Sequence, residues 1–294
     1  MKHITNEELA ALRVPAEKYL CWVENALLHK AESVLPEKIS MKMEEHVFYN
    51  VMPCILPYKG VAGVKIVNRY PERNPSIGGD LLLYRLADGE LAAAFDAEYI
   101  TTVRTGAVAA HAVKSFARKD FSFLALAGLG NVVSATFSML AEIYREKKLT
   151  VGLLKYKDAH ETFMQKYRFP NVEYKVYDAP ESLFSAADVI VSGVTYREED
   201  FAPLSCYNEG VLVVPVHTRG FMNCDAAFDR IFVDDYAHVK NFRYYDRFRW
   251  CRETAEYVKG VCEGRGSERE RILCYNIGIA LHDVYFASEF LKML

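Results

Sequence analysis

Four short apolar runs mark the middle of the chain: Phe123–Ala127, Leu149–Leu154, Ala187–Val191 and Gly210–Val216. An amphipathic stretch from Ser134 to Glu146, with Phe137, Leu140, Ala141 and Tyr144 on one face, separates the first two. A second helical stretch, Pro180–Ser185, precedes the third. Runs of this length alternating with helices predict parallel strands buried on both faces. The pattern predicts a Rossmann-type domain over residues 118–265.

The flanks are patterned differently. Residues Pro15 to Val34 read as an amphipathic helix presenting Tyr19, Leu20, Val23, Ala26 and Leu27. Strand-like runs follow at Lys38–Met43, His46–Val51, Val61–Val67, Leu81–Leu86 and Leu91–Phe95, the last two joined by an Ala87-Asp88-Gly89 turn. At the far end, Ser267 and Glu270 form a possible capping box opening a helix from Glu268 to Leu291, with Ile272, Tyr275, Ile279, Val284, Phe286 and Phe290 seeking a partner surface. The expected fold is therefore α/β: the Rossmann-type domain plus a discontinuous α+β domain over 1–117 and 266–294.

The first apolar run breaks into Gly128-Leu129-Gly130 and resumes as a helix, which is most of a dinucleotide-binding fingerprint. Gly128 would allow the tight turn, and Gly130 would let a pyrophosphate approach the amides that open the next helix. Val133 stands where the third glycine is usual. Asn131 and Val132, Thr105, and Ser192-Gly193 at the end of the third run are the other positions expected to line an NAD(P) site. An NAD-preferring domain usually carries an acid at the end of the second strand. Here Lys155 and Tyr156 stand there, with Lys157 beyond, which tilts the expectation slightly toward NADP. A solvated strand end is the bland alternative.

Composition narrows the class. The chain has 294 residues, 51% of them hydrophobic, and a net charge of −3, enough for two cores and unsuited to nucleic acid. Seven cysteines are scattered without a CxxC pair, which points to a reducing compartment and to neither a disulfide framework nor a metal site. No run approaches a membrane span, so the expected location is the cytoplasm.

Two cations stand out. Lys65 lies inside an apolar strand and Arg104 just ahead of a small-residue helix, and cations so placed need an anion. That anion is either a substrate carboxylate or half of a structural ion pair.

The stretch Phe48-Tyr49-Asn50-Val51-Met52-Pro53 through Gly60-Val61-Ala62-Gly63-Val64-Lys65 resembles the ornithine cyclodeaminase/mu-crystallin family. So do Asn74-Pro75, Gly79-Asp80-Leu81-Leu82-Leu83, Asp88-Gly89, Thr101-Thr102-Val103-Arg104-Thr105-Gly106-Ala107, the Gly128-x-Gly130 loop and Asn276 through Asp283. The resemblance covers essentially the whole chain. It implies a homodimer, an NAD or NADP cofactor, and hydride transfer at the Cα of an amino or imino acid. It places Lys65 and Arg104 at catalytic, carboxylate-binding positions and Lys38 at a further substrate contact. It also places His217 where ornithine cyclodeaminases carry a catalytic aspartate. A neutral imidazole there would exchange protons but not neutralise an ammonium group, so imine or keto-acid reduction ranks above cyclodeamination. The run Phe228 to Val239 resembles conjugate-forming members, with Asp234 and Asp235 otherwise read as a helix cap. The alternative function is a catalytically silent NADP-binding store or regulator.

Overall fold

The computed structural model describes residues 2–44, 47–194, 199–217, 220–222 and 224–294. The chain opens with a short strand, β1 (Lys2–Ile4), and two helices, α1 (Asn6–Ala11) and α2 (Ala16–Leu28). Thr5 starts α1 with a reciprocal cap: its hydroxyl accepts from the Glu8 amide and the Glu8 carboxylate accepts from the Thr5 amide. Five strands follow, β2 (Ile39–Glu44), β3 (Val47–Leu56), β4 (Val61–Arg69), β5 (Ile77–Arg85) and β6 (Leu91–Asp96). They pair antiparallel in sequence, and β1 joins parallel to β6, giving a mixed sheet of order β1-β6-β5-β4-β3-β2. Of the predicted second run of this group, His46 lies outside the described residues.

A long helix, α3 (Ala97–Phe116), leads into the repeating part: β7 (Phe123–Ala127), α4 (Asn131–Ile143), β8 (Leu149–Leu154), α5 (Ala159–Lys166), β9 (Val172–Tyr177), α6 (Pro180–Ser185), β10 (Val189–Ser192) and β11 (Leu212–Pro215). It continues with β12 (Arg230–Val233), α7 (Tyr236–Val239), β13 (Cys251–Glu253), α8 (Thr254–Val258) and β14 (Ile272–Tyr275), and α9 (Ala280–Met293) comes last. The second sheet has the order β13-β12-β14-β11-β10-β7-β8-β9, and each of its pairings is parallel. Strands β10, β11 and β14 are buried at every position, as a sheet covered on both faces requires. Strand β9 lacks a continuous apolar run because, as an edge strand, it alternates polar with apolar residues.

The chain divides into two units, residues 1–104 with 278–294, and residues 105–277. The divisions fall within α3, after Arg104, and between β14 and α9, after Ile277.

One expectation is overturned. The segment read as a single helix from Glu268 to Leu291 is a strand, β14, followed by α9. Ile272, Leu273, Cys274 and Tyr275 sit between β11 and β12 and bury both faces, which a helix could not provide. Gly278 at φ +99° then turns the chain, a backbone conformation that side chains disfavour.

In the first unit α9 packs on one face of the mixed sheet. A methyl group at Gly63 would lie 2.8 Å from Val284 Cγ2, so the bare strand admits the helix closely. Beneath, α2 locks onto α9 through Trp22 against Phe286 and Phe290, with ring centroids 5.1 and 5.2 Å apart, and Tyr19 stacked on Phe286 at 5.8 Å. The opposite face of the sheet is open: Ile39 and Ile66, aligned through Val51, are 57% and 39% exposed, and Met41 is 48% exposed.

Candidate functional site

Each unit carries a distinct set of chemically capable side chains. In the first, Gly63, Lys65 and Val67 alternate toward α9 while Val64 and Ile66 point away. Lys65 is wholly buried, and its Nζ donates to Asp283 Oδ1 at 2.7 Å and to Thr101 Oγ1 at 3.3 Å. Arg104 donates from Nε to the same Oδ1 at 2.8 Å. Asp283 is wholly buried on the first turn of α9, and its Oδ2 has no hydrogen-bond partner among the described residues. A methyl group at Gly278 would sit 2.8 Å from Arg104 Nη1, so the glycine clears space for the guanidinium.

Two cations thus share one carboxylate oxygen. Burial pushes the Lys65 ammonium down to about 8, with Asp283 opposing the shift and the charges of Arg104 and Lys38 reinforcing it. Burial alone would raise the Asp283 carboxyl, but Arg104 and Lys65 hold it below the usual carboxylate range. The structure therefore brings Lys65 and Arg104 together, with the half-buried Lys38, ahead of β2, acting on Lys65 through its charge. It also adds Asp283, which the sequence reading did not single out. The signal was available: Asp283 is an acid set among Leu281, Val284 and Phe286 near the start of its helix, 218 positions from Lys65.

In the second unit, the strand order reverses direction of growth between β7 and β10, the switch point where parallel sheets of this kind take ligands. Gly128 ends β7 at φ +76°, and a methyl group on it would lie 2.8 Å from Gly193 C and Val194 N. Gly130 caps α4 without a side-chain hydrogen bond, and nothing lies within 4 Å of where its methyl group would be. The close packing expected of a third glycine is supplied from the neighbouring loop. Val133 fills the space, and a methyl group at Gly193 would be 2.5 Å from its Cγ2.

Asn131 is exposed and Val132 half-buried at the start of α4, directly after Gly130. Thr105 is buried on α3 beside Gly106, where a methyl group would be 2.8 Å from Ala135 Cβ of α4. Lys155 and Tyr156 are exposed beyond β8, and Lys155 Nζ lies 3.6 Å from Asp178 Oδ1 just past β9.

Ser192, wholly buried at the end of β10, lies with Oγ 2.7 Å from Nε2 of His217, two residues past β11. The ring of His217 packs near Phe201 and Phe221, with centroids 6.2 and 6.1 Å away. Asn276, past β14, is buried, and its side-chain Nδ2 has no partner among the described residues while its backbone amide donates to Pro215 O. Sequence reasoning missed it as well; the signal is a polar residue following four buried apolar ones. Thr195, Thr218, Arg219 and Asn223 lie outside the described residues.

The structure separates the roles of the two aspartates beyond β12. Asp235 caps α7 by accepting from the Ala237 amide at 2.8 Å, whereas Asp234 is buried with Oδ1 3.1 Å from His238 Nδ1. Tyr245, Phe248 and Trp250 pack on neighbouring rings. His111 is a buried histidine that burial pushes down to about 4, so it is uncharged near neutrality. No group of three or more metal-ligating side chains occurs among the described residues.

Residues 9–217 match the ornithine cyclodeaminase/mu-crystallin family. The nodulation efficiency protein NfeD of Rhizobium meliloti is 27% identical, over 98% of this chain and 93% of its own length. The structure of Δ1-pyrroline-2-carboxylate reductase from Thermococcus litoralis, in complex with NADH and L-proline, superposes with a TM-score of 0.87 at 23% identity, covering 99% of this chain and 97% of that one. An archaeal alanine dehydrogenase dimer with bound NAD superposes with a TM-score of 0.85 at 23% identity, covering 99% and 95%. The chain belongs to the ornithine cyclodeaminase/mu-crystallin family.

Proposed function

We propose that the chain is an NAD(P)-dependent oxidoreductase that transfers hydride at the Cα of a small amino or imino acid. The observation that carries this reading is the Lys65–Asp283–Arg104 cluster, in which two cations face one internal anion. A buried site with an excess positive charge is stabilised by a further carboxylate, and a substrate α-carboxylate supplies it. Lys65 and Arg104 hold that group and so orient the adjacent carbon, with Lys38 adding to the attraction.

The crevice of the second unit fits a dinucleotide. Gly130 leaves open space at uncapped helix amides, and Asn276 Nδ2 is a buried donor awaiting a partner. Gly128, Asn131, Val132, Thr105, Ser192 and Gly193 complete the lining. The nicotinamide supplies hydride donation or acceptance when bound. His217 moves the accompanying proton to or from the substrate nitrogen or oxygen.

For the ribose end we favour NAD over NADP. Lys155 is already faced by Asp178, and an acid at this edge suits ribose hydroxyls rather than a 2′-phosphate. The solved relatives described above hold NADH and NAD, which supports the same choice. The open apolar face carrying Ile39, Met41 and Ile66 supports a homodimer built through this sheet. No helix among the described residues is long and apolar enough to cross a membrane.

The test is a titration with NADH and NADPH, followed by turnover on cyclic imines and on 2-keto acids with ammonia. Cofactor oxidation with any member supports the reading. Tight NADH binding without turnover across the panel overturns it in favour of a silent binder.

A further inference from the structure

We propose that Asp283 is a positioning residue for the carboxylate-binding pair: it keeps Lys65 protonated inside the sheet and fixes Lys65 and Arg104 about one shared oxygen. The proposal rests on the function proposed above for this cluster.

Lys65 is wholly buried on β4, surrounded by strands on both sides and by α9 above. An ammonium in such a place loses its proton unless an anion holds it. The charges acting on Lys65 are Asp283 from α9, Arg104 from α3 and Lys38 from the segment before β2, while its neighbours across β3 and β5, Met52 and Leu81, carry none. Two of these repel the ammonium, and Asp283 is the one anion among them. Thr101 on α3 adds a hydroxyl at 3.3 Å, which is neutral. Without Asp283, the Lys65 amine would face Arg104 with nothing to retain its proton, and a neutral amine does not attract a carboxylate.

The geometry also sets direction. Both cations meet Oδ1, at 2.7 and 2.8 Å, and Oδ2 makes no hydrogen bond among the described residues. A carboxylate shared through one oxygen draws the ammonium and the guanidinium to a common point. Asp283 stands on the first turn of α9, where the helix N-terminus favours its charge. Gly63 and Gly278 set the two approaches, the first letting α9 down onto β4 and the second clearing room beside Arg104. With three cations, Lys65, Arg104 and Lys38, set against the single carboxylate of Asp283, the cluster keeps an excess positive charge for a substrate carboxylate.

The test uses pyruvate as the probe, binding to the protein saturated with NADH, without ammonia, measured by calorimetry from pH 6 to 9. Wild type is expected to bind pyruvate and to lose it as pH rises past about 8. Asp283→Asn keeps the shape and removes the charge. It is expected to move the midpoint down by about one unit, and so to weaken binding about fivefold at pH 8 and nearly tenfold at pH 9, with recovery toward pH 6. A merely structural aspartate would lower the melting temperature and leave that midpoint in place, and this result overturns the proposal, as would tighter binding at every pH. If Asp283→Asn does not fold, Asp283→Ser removes the same charge, with an unmoved midpoint overturning the proposal and a lowered one supporting it. Failure of the wild type to bind any small carboxylate sinks the proposed function instead.

Discussion

Ser192 Oγ and His217 Nε2 lie 2.7 Å apart at the carboxyl ends of adjacent parallel strands, and the hydroxyl can serve the ring in either protonation state. It donates to a bare nitrogen and accepts from a protonated one, so the ring keeps its bond as a proton comes and goes. The Asp234–His238 pair differs, because an ionised carboxylate can only accept. His217→Ala is expected to lower kcat by roughly a hundredfold. Ser192→Ala is expected to lower it by about tenfold and Ser192→Thr to restore most of it. Steady-state kinetics at saturating NADH decide the matter; rates within about threefold of wild type in both alanine variants would leave the bond purely structural.

On the function proposed above, the Lys65 proton is expected to set an alkaline limit on activity. Because burial brings the ammonium down to about 8, kcat/KM should be flat below this value and fall tenfold per unit above it. Lys65→Arg, whose guanidinium does not titrate in this range, should remove the limb while lowering the rate. A pH profile from 6 to 10 checks both, and a wild-type profile level to pH 10 would refute the assignment.

Asp225 gives a second pH dependence, in stability. It is buried, accepts from the Ala226 amide at 2.7 Å and from the Tyr275 hydroxyl at 3.2 Å, and burial pushes its carboxyl up to about 7. The ordinary carboxyl value of 3.8 applies to the unfolded chain, so between these values the folded state binds the extra proton. Stability from this group is full below the lower value and is lost as pH rises through the upper one. Asp225→Asn should therefore gain on wild type between pH 4.5 and 8, by on the order of 2 kcal/mol. Parallel melting curves test it; a difference that does not change with pH would mean the carboxyl is ionised throughout.

The two loop glycines should fail differently. Gly128→Ala forces a side chain into a left-handed residue against the Gly193–Val194 backbone, which should cost about 2 kcal/mol or more of stability. Gly130→Ala meets nothing within the chain and should leave the melting temperature unchanged, yet weaken NADH binding by about tenfold or more. Equal NADH affinity in Gly130→Ala would remove the pyrophosphate from this loop.

Introducing charge on the open sheet face tests assembly. Ile66→Glu with Met41→Glu should convert a dimer to a monomer in light scattering, since two like-charged patches would face each other across the interface. Wild type eluting as a monomer would end the dimer proposal.

What was legible in the sequence was largely what depends on local pattern. The Gly128–Gly130 turn, β8 and α6 follow from short runs of residues and fall where the periodicity put them. The edge strand β9 and the central strand β14 were lost for opposite reasons. The first alternates too gently to register, and the second is uniformly apolar and merges with the helix that follows. Lys65 and Arg104 announced themselves as cations in apolar surroundings, but their shared anion did not, because Asp283 reaches them only through the packing of α9 on the mixed sheet. The Lys155–Asp178 approach was invisible for the same reason, as it depends on β8 and β9 lying side by side.

The separation of Lys65 from Asp283 by 218 residues imposes an order on biosynthesis. At a translation rate of roughly 5–20 residues per second, the ribosome needs on the order of 10–40 s to travel from one codon to the other. All of residues 105–277 emerge in that interval, so the parallel sheet can close while the mixed sheet still lacks α9. Until the last helix arrives, the Lys65 side chain has no internal counter-ion and is better off in water than under a helix. Burial of Lys65 in the first unit therefore waits on α9, the element that carries its counter-ion.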